Sequence, residues 1–361
     1  MGADSGVAAS VTACLRDFFA ERSADARAAG AAEFADEVVR RLADFTLSGG
    51  KRLRPAFAWW GWRAAGGPAD GPRARAALRA GAALELLHAC ALVQDDVMDG
   101  SALRRGRPAL HVALAREHAE RGWAGRAERY GESVAVLAGD LALAWAEDLF
   151  TEAAAALGAG SAAREPWRHV RSELIAGQFL DLRAQAGGDA EPDTALRVDR
   201  LKTAAYSVER PLHLGAALAG ADDALVRALR GYGTAIGTAF QLRDDLLGVY
   251  GDPAATGKPV GDDIREGKPT LLWAVGLRRA RERGGAAESA LREAAGDPAL
   301  TEARVRDLGA LLTDLGARAE VEARIAHTVR TGLAHLGKAR VPAAARAALE
   351  AMAAQAADRP A

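Results

Sequence analysis

At 361 residues the chain is long enough for one large domain or two smaller ones, and half of it is hydrophobic, ample for a sizeable core. A net charge of -1 removes any electrostatic case for nucleic acid or an anionic membrane surface as partner, and aromatics at only 5% argue against a β-rich fold. Cys14 and Cys90 lie far apart with no CxxC pattern, which argues against a disulfide framework or a zinc site. Ala, Leu, Arg and Glu, all helix formers, dominate the composition.

In chain order, residues 1–30 read as a short Ala-rich helix with a loose start, and a helix is expected over Ala32 to Phe45. Ser48-Gly49-Gly50-Lys51-Arg52-Leu53-Arg54-Pro55 breaks that pattern. Its glycines let backbone approach a ligand closely and its cations suit an anion, although a solvated surface loop would read the same way. A tryptophan-bearing helix, Ala56 to Ala65, leads through a Gly/Pro turn into an apolar helical run from Ala80 to Val93.

That run ends in Gln94-Asp95-Asp96-Val97-Met98-Asp99, with Asp95 and Asp99 one turn apart on one face and His88 two turns back on the same stripe. Like charges at i,i+4 repel by roughly 0.2–0.5 kcal/mol, and a helix C-terminus is a poor place for negative charge. A cation belongs there. Oxygen ligands alone suit a hard ion such as Mg²⁺. Phe240-Gln241-Leu242-Arg243-Asp244-Asp245-Leu246-Leu247-Gly248 repeats the design later. Mg²⁺ keeps part of its shell for water and phosphate, so two such ends imply a diphosphate ligand.

The loop after Asp99 carries Arg104, Arg105 and Arg107, which could form a salt-bridge patch or grip phosphate with guanidinium forks. Arg116 to Tyr130 reads as a charged loop, Glu132 to Leu157 and Glu165 to Gln185 as helices, and Gly187 to Asp193 as a turn. Within Gly177-Gln178-Phe179-Leu180-Asp181, Gln178 and Asp181 share a face and could bind or merely pair with neighbours. Lys202-Thr203 opens the next helical section, and the second aspartate helix spans Ala224 to Tyr250, with Gly233 and Gly237 spaced for close packing. Thr256 to Thr270 is a loop rich in Gly and Lys. Amphipathic helices follow Leu271, with turns near Gly284, Pro298, Gly316 and Pro342. No linker interrupts the chain, so a single all-α domain is expected. With no basic leader and no run of about 18 apolar residues anywhere, a soluble cytoplasmic protein without an integral membrane segment is the expectation.

These motifs, GGKRLRP, ELLHACALVQDDVMD, RRGRP, GQFLD, KTAAYS, FQLRDD and GKPVGDD-REGKPT, resemble in content and order those of the trans-isoprenyl diphosphate synthases (the polyprenyl synthetases), most closely the actinobacterial geranylgeranyl type. The resemblance runs from about Ser48 to Thr270. It implies a helical bundle around a deep cavity and a homodimer. It also implies a Mg²⁺-dependent head-to-tail condensation of isopentenyl diphosphate with an allylic diphosphate. Carried over, Asp95 and Asp99 would ligate two Mg²⁺ ions and Asp244 a third, with Asp245 behind it. Arg104, Lys202, Thr203, Gln241, Lys258 and Lys268 would hold the allylic diphosphate, and Lys51, Arg54, His88 and Arg105 the isopentenyl diphosphate. Small side chains at Cys90 and Ala91 would leave room for a C20 or longer product. The chain departs from the family at Gln94, where His is common, and at Gly248, where a third Asp is common; Asp252 is a candidate to replace that charge. A class I terpene cyclase, a longer-chain synthase and a non-catalytic partner subunit are the competing readings. The cyclase would not need the second diphosphate site.

Overall fold

A computed structural model describes residues 4, 6–189, 191–252 and 260–357. Regular structure among them is helical except for one two-stranded pairing, as the composition predicts. The chain gathers into two compact units, Met1–Trp167 with Pro211–Asp222 and Arg168–Arg210 with Asp223–Ala361. No linker marks the division, because it falls inside the helix Gly160–Gly187.

The first unit begins with α1 (Val7–Ala28), α2 (Ala32–Phe34), a π-helical stretch Ala35–Val39 and α3 (Arg40–Leu47). Then come α4 (Leu53–Ala64), α5 (Gly71–Met98), α6 (Leu110–Glu120) and α7 (Ala127–Ala156). Helix α5 packs on α7, α4 and α1. Its residues are buried around most of its circumference, from Ala76, Leu78 and Ala80 to Leu84, Leu86, Leu87, Cys90 and Val93. This all-round burial explains its sequence, since a helix apolar on every side belongs inside a core or a membrane. By length and composition α5 could cross a membrane, and 72% of its most apolar window is buried; the sequence reading, which recognised no such run, missed it. Val93, Leu110, Leu114, Ala135 and Ala138 form the cluster that seats the end of α5 against α6 and α7, directly ahead of Asp95.

The stretch expected as a charged loop, Arg116 to Tyr130, is mostly helical, since α6 runs to Glu120 and α7 starts at Ala127. Two of its charges, Glu117 and Arg121, are paired with an earlier segment. Arg41 grips Glu117, Arg121 donates to Glu37 over 2.7 Å, and the rings of His118, Trp123 and Tyr130 pack with centroids 5.1–5.9 Å apart.

The second unit contains most of α8 (Gly160–Gly187), then α9 (Pro192–Asp199) and a π-helical run Arg200–Glu209. Helix α10 (Arg210–Ala219) returns to the first unit, apart from Arg210. Helix α11 (Asp223–Tyr250), a single turn α12 (Asp262–Arg265) and α13 (Leu271–Arg283) follow, then α14 (Ala286–Ala294), α15 (Glu302–Asp314), α16 (Ala317–Gly337) and α17 (Ala343–Ala357). Helix α11 packs on α16 and on the π-helical run, and the core holds Leu242, Leu246, Leu272, Trp273, Leu312 and Ile325. The contact with the π-helical run is close at Gly237, where a Cβ would lie 2.6 Å from the Ala204 Cα. The π-helical run is pinned at its end by Arg210, which holds Glu173 of α8 through two bonds of 2.6 and 2.8 Å. Glu209 adds bonds from Arg230 (2.8 Å) and Thr234 (2.9 Å) of α11.

Candidate active site

In the first unit, three segments meet at the end of α5. The RRGRP motif forms a tight hairpin that the sequence reading did not foresee, with Leu103 opposite Pro108 and Arg104 opposite Arg107. Its two central residues, Arg105 and Gly106, have φ of 54° and 72°, the positive values a type I′ turn requires. The turn splits the two arginines. Arg104 folds back on α5, donating through Nε to Asp96 Oδ1 over 2.8 Å and lying 3.5 Å from Asp95 Oδ2. Arg105 reaches the other way and donates to the carbonyls of Ser48 (3.1 Å) and Gly49 (3.2 Å), tying the hairpin to the GGKRLRP loop.

Arg52 and Arg105 are the non-glycine residues with positive φ among those described. Left-handed backbone costs an ordinary residue about 1–2 kcal/mol, and such strain gathers at functional sites. The roles of the GGKRLRP cations differ. Arg52 is buried, pairs with Glu85 over 2.5 Å and donates to the Thr46 carbonyl over 2.7 Å, so it shapes the loop. Lys51 is exposed and Arg54 half-buried, on either side of it. His88 lies in their field. Burial first, then the charges of Arg54, Arg105, Arg104 and Arg52, push its pKa well below 6.5, so the imidazole is neutral. Burial and then Arg52 also lower the pKa of Arg105, with Glu85 opposing. Cations crowded until they depress one another suit an anion.

Asp95 and Asp99 sit half-buried at the C-terminal end of α5, while Asp96 is fully buried with its Oδ2 lacking a hydrogen-bond partner. No three His, Cys, Asp or Glu side chains converge as a metal cage among the described residues. Two carboxylates on one helix end, an orphaned buried oxygen beside them and a guanidinium nearby fit a hard cation that takes its remaining ligands from water and phosphate. Gln94, the first departure from the family pattern, is engaged: it donates to Asp140 Oδ1 of α7 over 3.0 Å. Cys90 is buried, its thiol pushed up to about 12 by burial and then by Asp140, whereas Ala91 is half-exposed.

In the second unit, Gly177 lets α8 press against the π-helical run, where a Cβ would lie 2.4 Å from the Lys202 amide nitrogen. One turn further along α8, Asp181 Oδ2 accepts from Lys202 Nζ at 2.6 Å. Asp181 therefore sets the position of Lys202, a role left open by the sequence. Its GQFLD spacing, a glycine one turn before an acid, was the available signal. Gln241 donates to Asp245 Oδ1 over 2.6 Å, and Asp245 Oδ2 has no partner. Burial, then the charges of Asp199 and Asp263, hold the Asp245 carboxyl well above its usual range. Asp244 and Thr203 are half-buried on the same elements. Lys268 pairs with Glu266 over 2.5 Å, and Lys258 lies outside the described residues.

At Gly248 a Cβ would lie 3.0 Å from Asp263 Oδ2, and the Gly248 carbonyl accepts from the Gly261 amide over 2.8 Å. The acid delivered to this gap is therefore Asp263; Asp252, the candidate from sequence, is exposed beyond the helix end.

Residues 36–308 match the family profile described as polyprenyl synthetase. The chain belongs to the polyprenyl synthetase family. A Corynebacterium glutamicum geranylgeranyl pyrophosphate synthase, solved with isoprenyl diphosphate and magnesium, is 41% identical with a TM-score of 0.89, covering 97% of this chain and 98% of that one. The geranylgeranyl diphosphate synthase of Sulfolobus acidocaldarius is 38% identical over 237 residues, 65% of each chain. A Mycobacterium tuberculosis (2E,6E)-farnesyl diphosphate synthase is 38% identical over 228 residues, 63% of this chain and 57% of that one. The alignments thus span less than two thirds of these two relatives, and similarity extends to enzymes named for different product lengths.

Proposed function

We propose that the protein is a trans-prenyltransferase that joins isopentenyl diphosphate head-to-tail to an allylic diphosphate, with geranylgeranyl diphosphate (C20) as product. The observation that carries this reading is a cluster of arginines, Arg54 and Arg105 foremost, acting on the neutral His88 of α5. A protein that ionises a single diphosphate has no use for it, which weighs against a cyclase. Lys51, Arg54, His88 and Arg105 hold isopentenyl diphosphate. Arg104, Lys202, Thr203, Gln241, Lys258 and Lys268 would hold the allylic diphosphate, and Asp95, Asp99 and Asp244 would hold three Mg²⁺ ions.

Bound Mg²⁺ supplies Lewis-acid stabilisation of the departing diphosphate. Arg104 and Lys202 add fixed positive charge where negative charge grows as the allylic C–O bond breaks. The isopentenyl cluster holds its substrate's diphosphate so that the double bond can attack the allylic cation. The released diphosphate takes the proton, since no Glu or His is assigned to that step. The exposed apolar pairs Val136 and Leu137 of α7, and Ile175 and Phe179 of α8, support a homodimer. Free Cys14 and Cys90 suit the reducing cytoplasm.

The test is to incubate the protein with isopentenyl diphosphate, Mg²⁺ and each of the C5, C10 and C15 allylic diphosphates, and to size the products by mass. A C20 product is expected. A product stopping at C15 or extending past C20 overturns the chain length, no condensation with any starter overturns the reaction, and hydrocarbon from geranylgeranyl diphosphate alone identifies a cyclase. In the family a bulky aromatic upstream of the first aspartate motif stops elongation early. The half-exposed Ala91, one turn before Asp95, is the position to fill. Ala91→Phe should shift product to C15 or shorter, and an unchanged profile would mean the floor lies elsewhere.

His88 gives an independent check. Its neutral state reflects burial and surrounding cations, and a diphosphate bound there opposes the field of those cations and raises its pKa. Binding of isopentenyl diphosphate near pH 6 should therefore take up more protons in the wild type than in His88→Gln. Calorimetry in two buffers of different ionisation enthalpy measures the difference, and equal uptake by both proteins would remove His88 from the site.

A further inference from the structure

Arg265 and Lys268 lie close together in the loop after α11, and the structure gives these two cations different tasks. The Arg265 guanidinium is committed within the protein. Its Nε donates to the Leu300 carbonyl over 2.9 Å, and one terminal nitrogen donates to the Val260 carbonyl (2.9 Å) and to Asp262 Oδ1 (2.8 Å). To grip a phosphate it would have to release two carbonyls. Lys268 instead ends in a compact charge on a flexible stem, half-buried and paired with Glu266 over 2.5 Å. It is the cation assigned above to the allylic diphosphate.

The bonds of Arg265 join distant pieces of chain. Val260 and Asp262 open the described part of the loop, Arg265 ends α12, and Leu300 lies in the turn between α14 and α15. In that same turn the Gly296 amide donates to the Ile264 carbonyl over 2.8 Å, and Ile264 and Leu300 are both buried in the core of the second unit. On the other side, the Gly261 amide donates to the Gly248 carbonyl of α11 over 2.8 Å. The Lys268 amide closes the segment by donating to the Asp263 carbonyl, again over 2.8 Å. The stretch that presents Lys268 is thus a frame, fixed by backbone bonds to α11 and to the turn at 296–300, and Arg265 is a side chain that braces it from within. With its side chain 19% exposed, these bonds are largely shielded from water. Neither Arg265 nor the turn at 296–300 has a part in the site described above.

We propose that Arg265 is a positioning residue for Lys268: by tying Val260 and Asp262 to the Leu300 carbonyl, it holds residues 260–269 in the conformation that presents the Lys268 ammonium to the allylic diphosphate. The idea rests on the diphosphate role of Lys268 proposed above. A guanidinium suits the task because its rigid fork aims several N–H groups at once, whereas a lysine has one nitrogen to offer. The turn at 296–300 thereby becomes a support for substrate binding. Arg265 acts on the allylic substrate alone, because the residues it ties together carry no group assigned to isopentenyl diphosphate.

The experiment measures KM for each substrate in wild type, Arg265→Met, Arg265→Lys, Lys268→Ala and the double variant Arg265→Met/Lys268→Ala, alongside binding of a non-reactive allylic thiodiphosphate. Arg265→Met should raise the allylic KM about tenfold, inside the range that a displacement of about 1 Å can cost. The isopentenyl KM should stay within about twofold. Arg265→Lys should raise the allylic KM by less, and it carries the comparison if the methionine variant does not fold. In the Lys268→Ala background, Arg265→Met should add less than about twofold, because a residue that acts through Lys268 has nothing left to position. Hydrogen exchange gives a readout independent of turnover: the amides of Gly261, Lys268 and Gly296 should exchange faster in the Arg265 variants, with those of α16 unchanged. The proposal is overturned by an unchanged allylic KM in a folded Arg265 variant, by an equal rise in both KM values, by additive effects in the double variant, or by unchanged exchange at those amides. A Lys268→Ala protein with unaltered allylic KM would instead overturn the diphosphate role of Lys268 itself.

Discussion

Asp95→Ala and Asp244→Ala are each expected to lower kcat by about 10²-fold or more, the cost of losing one preorganised electrostatic group at a reacting centre. Both changes should act on the same step. Asp95 stands at the end of α5 with Arg104 3.5 Å away, so its removal strips a carboxylate from the proposed metal site but leaves Arg104 anchored to Asp96. The isopentenyl cluster should be undisturbed, and the KM for isopentenyl diphosphate should stay within about twofold, since uniform binding is not what is lost. Calorimetric titration of Mn²⁺ in the presence of a non-reactive allylic diphosphate gives a second readout, with weaker or fewer binding events in each variant. Near-normal turnover in either variant would sink the metal assignment. An equal loss confined to KM would move the aspartate from metal ligand to substrate contact.

Some of this site was legible in the sequence for plain physical reasons. Acidic residues at a helix C-terminus are unfavourable unless a cation meets them, so Asp95 and Asp99 stood out without any structure. Position along one helix likewise put His88 on their stripe. What escaped depends on contacts across long stretches of chain. Lys51, Arg52 and Arg54 look alike in sequence, and only Glu85, a helix and a half away, separates the buried loop-shaper from its neighbours. Arg105 at the first central position of a type I′ turn carries no propensity signal, because Asn, Asp or Gly would be expected there. Asp181 acquires meaning only where Gly177 brings α8 against the π-helical run and Lys202. The charged stretch after Arg116 was misread because ion pairs to Arg41 and Glu37 of a distant segment turn a solvated pattern into a packed helix. At Gly248 the carboxylate that stands nearest the place of a missing side chain is that of Asp263, from a later turn.

The Arg52–Glu85 pair yields the largest stability effect. Both side chains are 4% exposed, so removing one partner leaves the other as a buried, uncompensated charge, at a cost of about 3–5 kcal/mol. Glu85→Leu is the more revealing of the single changes. It leaves Arg52 buried among Arg54, Arg104 and Arg105, the cations that already depress His88, and the unpaired guanidinium should be driven outward, taking the GGKRLRP loop with it. Loss of stability and a raised isopentenyl KM should then appear together. Arg52→Met with Glu85→Leu removes both charges, and such double replacements are often neutral or stabilising, so the double variant should recover most of the stability. It should not recover the KM, because the Arg52 bond to the Thr46 carbonyl (2.7 Å) that fixes the loop is still missing. Urea unfolding of the four proteins closes the cycle, and a coupling energy under about 1 kcal/mol would show that the pair is not the anchor of this loop.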